Sequence, residues 1–458
     1  MDLRKVYIVL FFLGLFFLPF NSIKGYEFMS IFKTAASTYF WIPTLILMGA
    51  GFLFNKKKIT LPIPTRSYQI FLVFLAFCFL TLLLNLEDVL QQFYKQKSGL
   101  YMFAFNIFLL VFAGMGLVVL VLNVFKGIDS ERIFIVTRKV IFWSFLFVFG
   151  YGILQMLILR FHLFQLEPLF YLLDYLPFVH GHLFYSSMRL NSVSYEVPAL
   201  GTYLIFVHGW MFSYILTHQS KWRFLPFAMV LFLVYFSGAR SALISILPQI
   251  IVILLLFKPC RVFVKKNIVF VMQVVGVLLL LFVAIKGNTL MDRIKQTSVE
   301  QLVGTSISNK SRIGMQVASL EVFCDSPIYG VGLGQETYSK MKYYPTWAMQ
   351  DNYEFTSMYL NEEDRMYPPA FNLYTKLLAE TGLIGFLLFI WFLWTCVKEN
   401  YSLVLSTVGT YRIFAQTLLI TLVGLLVNWG QNDDYMLYSF WISYAFLLIL
   451  ITNKLEHE

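Results

Sequence analysis

Apolar stretches of about twenty residues recur along the whole chain, separated by short polar breaks. A hydrocarbon core about 30 Å thick is crossed by a helix of about that length, so a chain patterned this way folds as a stack of transmembrane helices. About twelve spans can be placed, at 5–20, 37–54, 67–84, 100–124, 134–158, 193–217, 224–238, 241–257, 267–286, 373–397, 413–429 and 436–453. With 59% apolar and 13% charged residues the chain is far from soluble-domain usage. The expectation is an all-α polytopic membrane protein, with 1–458 forming a single integral membrane domain.

The net charge of +10 does not mark a nucleic-acid partner. The basic residues sit in short clusters beside the apolar runs rather than along one face, and such clusters set topology. Arg4, Lys5, Lys56, Lys57, Lys58, Lys221, Arg223, Lys265 and Lys266 fall on one side, and the opposite connections carry few cations. That bias puts both termini in the cytoplasm. The first run has no small-x-small cleavage site in "FLPFNSIKGYE" and reads as a retained span. The inner connections are short and hold no GxxxxGK[ST] loop, which argues against an ATP-driven pump.

Between 224 and 257 the only charge is Arg240. As one helix that run would be roughly 51 Å long, so it folds back, with basic flanks on the inner side and the turn at Ser237-Gly238 on the outer side. Arg240 marks the tip of this hairpin. An arginine there is either an interfacial anchor or part of a functional site.

Two outer segments are long, 159–192 and 287–371. In the second, "NKSRIGMQVASLEVFCDSPIYGVGLGQ" suggests an amphipathic helix with Ser311 as N-cap and Ile313, Val317, Leu320 and Phe323 on one face. Arg312 then lies in the first turn. A cation there makes sense if an anion sits at the helix N-terminus. Gly330, Gly332 and Gly334 form a tight turn. In "MRLNSVSYEVPALGTYL" Arg189 precedes the membrane, Glu196 lies inside the outer end of a span, and Pro198 interrupts the helix there. Glu196 either pairs with Arg189 or Arg240, or stays unpaired and works as a base. The histidines of "HGH", His180 and His182, are too short a signature for zinc, and no outward cysteine pair exists.

Taken in order, "SGARSAL", "SRIGMQVASLEVFCDSPIYGVGLGQ" and "FNLYTKLLAETGLIGFLLFIWFL" resemble the signatures of the O-antigen ligase and polymerase superfamily. The resemblance covers about 185–397 and implies a GT-C-like fold. It also implies a glycosyltransferase at the outer face of the bacterial inner membrane, working on a polyprenyl-diphosphate-linked oligosaccharide with no cofactor and no metal. Residues matching Arg240 and Arg312 are expected to hold the diphosphate, with Arg189 as a third, and a chain-length regulator protein is a further expected partner. Ligases of this family carry a histidine before the asparagine of the third motif, where this chain has Phe371 before Asn372. A phenylalanine takes no proton, so a repeat-unit polymerase for O-antigen, capsule or another surface polysaccharide is preferred over a ligase. The base then comes from elsewhere: Glu196 first, His182 second, with the acidic residues of "YLNEEDRMYPP" as further choices. Asn372 and Tyr374 are either sugar contacts or a helix cap and interfacial belt. The competing class is a lipid-linked oligosaccharide flippase. A transporter should place its ionisable groups near the bilayer midplane, whereas here they gather at the outer ends of the spans.

Overall fold

The computed structural model describes residues 3–55, 58–186, 188–256, 307–364 and 366–457. Its main helices are α1 Leu3–Phe16, α2 Thr38–Asn55, α3 Arg66–Leu84, α4 Gly99–Phe125, α5 Ser130–Phe161, α6 Val197–Thr217, α7 Leu225–Ser237, α8 Arg240–Leu256, α9 Ile307–Asp325, α10 Leu373–Ser406, α11 Gly409–Asn428 and α12 Tyr438–His457. Eleven of the twelve expected spans fall on a helix, and the expected span at 267–286 lies outside the described residues. Six helices, α3, α4, α5, α6, α10 and α11, are long and apolar enough to cross a membrane. Among the described residues the only strand pairing is a small hairpin, Phe93–Tyr94 against Lys97–Ser98. The protein is an all-α polytopic membrane protein.

Local chemistry sets the helix starts. Ser98 and Asp129 accept from the backbone N–H groups of Tyr101 and Glu131, opening α4 and α5. Pro198 and Pro226 sit in the first turns of α6 and α7, where a missing N–H costs nothing. Pro198 therefore begins a helix rather than interrupting one. Helix α6 is the most enclosed of the long helices and packs on α11, α7 and α8. Pairing of α3 with α10, and of α12 with α4 and α11, completes the bundle.

Helix α10 is broken at Gly382, which has φ 60° and ψ −167° inside a 34-residue element. The break is filled by the strap 326–334. Val331 and Gly332 donate to the carbonyls of Ala379 and Glu380 at 3.0 and 2.9 Å, and Leu383 and Ile384 donate back to Pro327 and Ile328 at 2.8 and 3.2 Å. The strap glycines, Gly330, Gly332 and Gly334, all have positive φ, as a tight backbone excursion requires. Interrupted helix backbone at this depth is tolerable because the strap satisfies it. A Cβ on Gly382 would lie 2.5 Å from the Ile328 carbonyl carbon. Gly382→Ala is therefore expected to cost about 3 kcal/mol, through left-handed strain and displacement of the strap. Thermal unfolding of the purified variant checks this, and an unchanged midpoint would refute it.

Two sequence expectations for α9 need correction. The helix already runs at Ile307, so Ser311 is a buried interior residue bonded by Asn352 Nδ2 at 3.0 Å rather than an N-cap, and Arg312 is not in the first turn. The face that packs is Gly314, Met315, Ala318, Ser319 and Val322, against Tyr344, Ala348, Phe355 and Tyr359. Ile313 and Leu320, on the apolar face read from the sequence, are exposed. Small residues win the contact because they let α9 approach its neighbours closely, an option an apolar-spacing count ignores.

Candidate functional site

The tip between α7 and α8 is built by Gly238, whose φ of 68° ends α7 in a left-handed cap, and by Ser237 Oγ, which accepts from Ala239 N at 3.2 Å. Arg240 follows as the first residue of α8. Arg189 Nη2 donates to the Gly238 carbonyl at 2.9 Å, fastening the approach to α6 onto the same tip. Arg240 Nη1 donates to Asn309 Oδ1 at 3.1 Å, which brings in α9, and from α9 Arg312 places its guanidinium 4.5 Å above the ring of Phe371.

All three arginines line one cavity of about 710 Å³, with Glu196, Tyr195, Asn309, Phe371 and the connection between α11 and α12 on its other walls. Among the described residues none of the three makes an ion pair within 4.0 Å. Burial, followed by repulsion from Arg240 and Arg312, pulls the Arg189 guanidinium below its ordinary value, and Glu196 pushes the other way. Three guanidiniums gathered on one wall, none ion-paired within 4.0 Å to the carboxylates Glu196, Asp433 and Asp434 that share it, can meet an anion.

Glu196 stands at the mouth of α6 in extended backbone, φ −150° and ψ 166°, and its side chain does not cap the helix. It precedes the helix rather than lying within it, because Val197-Pro198 opens the first turn. Neither Arg189 nor Arg240 pairs with it within 4.0 Å. Glu196 is thus a carboxylate on the cavity wall with no ion-pair partner among the described residues.

The remaining expected site residues stand apart. His182 does not line the cavity; Gln155 Nε2 donates to its carbonyl at 2.7 Å, and its ring packs 4.8 Å from that of His180. Burial and the neighbouring His180 lower its pKa. Asn372 is the N-cap of α10, accepting from Tyr374 N at 2.9 Å and Thr375 N at 3.3 Å, and Tyr374 donates to the Leu426 carbonyl at 2.6 Å. Both serve the helix and its neighbour, and neither lines the cavity. Glu362, Glu363 and Asp364 do not line it either; from that stretch Pro369 does.

One element of the wall escaped the sequence reading, the run Gln431-Asn432-Asp433-Asp434. Asp433 Oδ2 accepts from Ala370 N at 2.6 Å, and Asn432 O accepts from Leu373 N at 3.1 Å, so this run fixes the entry into α10. Asp434 Oδ1 accepts from Met436 N at 2.7 Å, and burial and the charge of Asp433 raise its pKa. The signal was present, since four successive polar residues, two of them acidic, occupy a short connection between apolar runs.

No curated protein matches the chain. A family model described as O-antigen ligase matches residues 225–390, the part that carries Arg240, Arg312, the strap and Phe371, while Arg189, Glu196 and the 431–434 run lie outside it. Over that part the chain is similar to the O-antigen ligase family, which supports the resemblance to the O-antigen ligase/polymerase superfamily.

Proposed function

We propose that the protein is a metal-independent repeat-unit polymerase, which transfers a polyprenyl-diphosphate-linked glycan to a second glycan at the outer face of the bacterial cytoplasmic membrane. The observation that carries this reading is the set of three arginines around one cavity, none of them in an ion pair within 4.0 Å among the described residues. Guanidinium forks match phosphate oxygens two at a time, and an arginine and a phosphate charge about 4 Å apart attract by about 4 kcal/mol at an effective dielectric near 20.

In the proposed step a hydroxyl oxygen of the acceptor bonds to the anomeric carbon as the bond from that carbon to the phosphate oxygen breaks. The diphosphate leaves with the electron pair, and the arginines meet the charge that grows on it. The hydroxyl proton passes to a carboxylate on the cavity wall, with Glu196 in that role because it makes no ion pair within 4.0 Å among the described residues. Phe371 favours polymerase over ligase. Where the ligases carry an ionisable imidazole, this chain has a ring that supports Arg312 from below.

A strain lacking the protein separates the readings. It should display single repeat units on its surface lipid. Accumulation of finished polymer on the carrier would point to a ligase, and loss of all surface glycan would point to a flippase.

A further inference from the structure

A second cavity, of about 240 Å³, adjoins the first, and Pro369, Asp433 and Asp434 line both. It lies between α4, α10, the β-hairpin and the short helix Glu336–Lys340. Its cations are lysines where the first cavity has arginines. Cations and carboxylates both line it: Lys97 and Lys376 with Glu336, Glu380, Asp433 and Asp434.

Several of these groups keep hydrogen-bonding capacity in hand. Lys376 Nζ donates to Asn106 Oδ1 at 3.3 Å and sits 4.5 Å over the ring of Tyr435, a single hydrogen bond for a group with three donors. Glu380, one turn further along α10, makes no ion pair with it within 4.0 Å; its Oε2 accepts from Tyr435 OH at 2.7 Å. The Lys97 ammonium rests 4.7 Å over Tyr367. By contrast Glu336 is satisfied by Lys340 at 3.0 Å and by Ser319 Oγ. Charged groups with unspent donors and acceptors around a small void suit a ligand that supplies both. A sugar ring, whose hydroxyls donate and accept, is such a ligand. A diphosphate suits it less than the first cavity, because two lysines here stand among four carboxylates, Glu336, Glu380, Asp433 and Asp434, whereas three arginines stand among three carboxylates there.

We propose that this second cavity seats the terminal sugar of the acceptor glycan. The proposal rests on the reading of the first cavity as the diphosphate site. The shared wall then has a function: a sugar held against Lys376 and Asn106 reaches past Asp433 and Asp434 towards the carbon bonded to the diphosphate. Donor and acceptor therefore enter separate cavities and meet at Pro369.

Purified protein in lipid nanodiscs tests this with two probes, C55 polyprenyl diphosphate carrying no sugar, and free oligosaccharide released by mild acid from the lipid-linked repeats of the deletion strain. Asn106→Leu and Lys376→Met should bind the diphosphate lipid within twofold of wild type and lose at least tenfold in oligosaccharide binding. Arg240→Lys should do the reverse. Lys97→Met, on the β-hairpin at the rim, repeats the test outside the helical core and should behave as Lys376→Met does. Unchanged oligosaccharide binding in all three cavity variants, no oligosaccharide binding by wild type, or equal loss of both probes in all three would overturn the acceptor site. Normal diphosphate binding by Arg240→Lys would instead overturn the reading of the first cavity.

Discussion

Arg240→Lys and Arg312→Lys are each expected to lower polymer formation at least 100-fold while leaving the protein in the membrane at normal abundance. Lysine keeps the charge, so a role that needed only positive potential would survive the exchange. What it loses is the planar fork that meets two phosphate oxygens together. A charge-assisted hydrogen bond contributes about 1.5–3 kcal/mol, and about 1.4 kcal/mol is a factor of ten, so losing the fork accounts for a 100-fold effect. Stability should change little, because neither arginine holds an ion pair within 4.0 Å; their protein partners are Asn309, Ser308 and the face of Phe371. Arg189→Lys should be milder, since one arm of Arg189 is already committed to the Gly238 carbonyl. Glycan ladders from the complemented deletion strain, read beside membrane immunoblots, give the answer. Full-length polymer from both lysine variants would remove the diphosphate assignment.

The bundle was legible because a bilayer leaves the backbone few choices. An apolar run must satisfy its own N–H and C=O groups, so counting such runs located the helices and put the turn at Ser237-Gly238. The grouping of Arg240 and Arg312 was suggested by motifs some seventy residues apart in the sequence; the structure joins them through Asn309. Local rules failed where long-range partners decide. Ser311 looks like a cap because it precedes an apolar stretch, yet the helix extends upstream and Asn352 takes the hydroxyl. Glu196 looks intramembrane because the residues around it are apolar, yet Pro198 starts the helix only after it. The strap glycines, Gly330, Gly332 and Gly334, announce a tight turn, but not that it fills a break in α10. Its Val331 and Gly332 N–H groups answer to the carbonyls of Ala379 and Glu380 in a different element. The acidic run 431–434 lies in a short connection, and only the fold brings it to the wall of the cavity.

The buried pair Lys340–Glu336 should produce the largest stability effect in the molecule. Its N–O distance is 3.0 Å and the two side chains are 0% and 2% exposed. Lys340 also donates to the carbonyls of Pro369 at 3.1 Å and Pro368 at 3.4 Å, while Glu336 bonds Ser319 Oγ. Removing one member leaves the other charge buried without its partner, which costs about 3–5 kcal/mol, whereas replacing both by apolar groups of similar size is often close to neutral. Lys340→Met and Glu336→Leu should therefore each lower the unfolding free energy by about that amount, and the double variant should recover most of it. Denaturation of the purified proteins measures the three values, and single variants within about 1 kcal/mol of wild type would contradict a buried charge pair. Activity should not recover with stability. Lys340 holds the Pro369 carbonyl and shares that of Pro368 with Thr337, Pro369 is wall to both cavities, and a methionine donates nothing to either carbonyl. A stable but inactive double variant would mean that the ion pair places this wall, and that its contribution to the site is separable from its contribution to the fold.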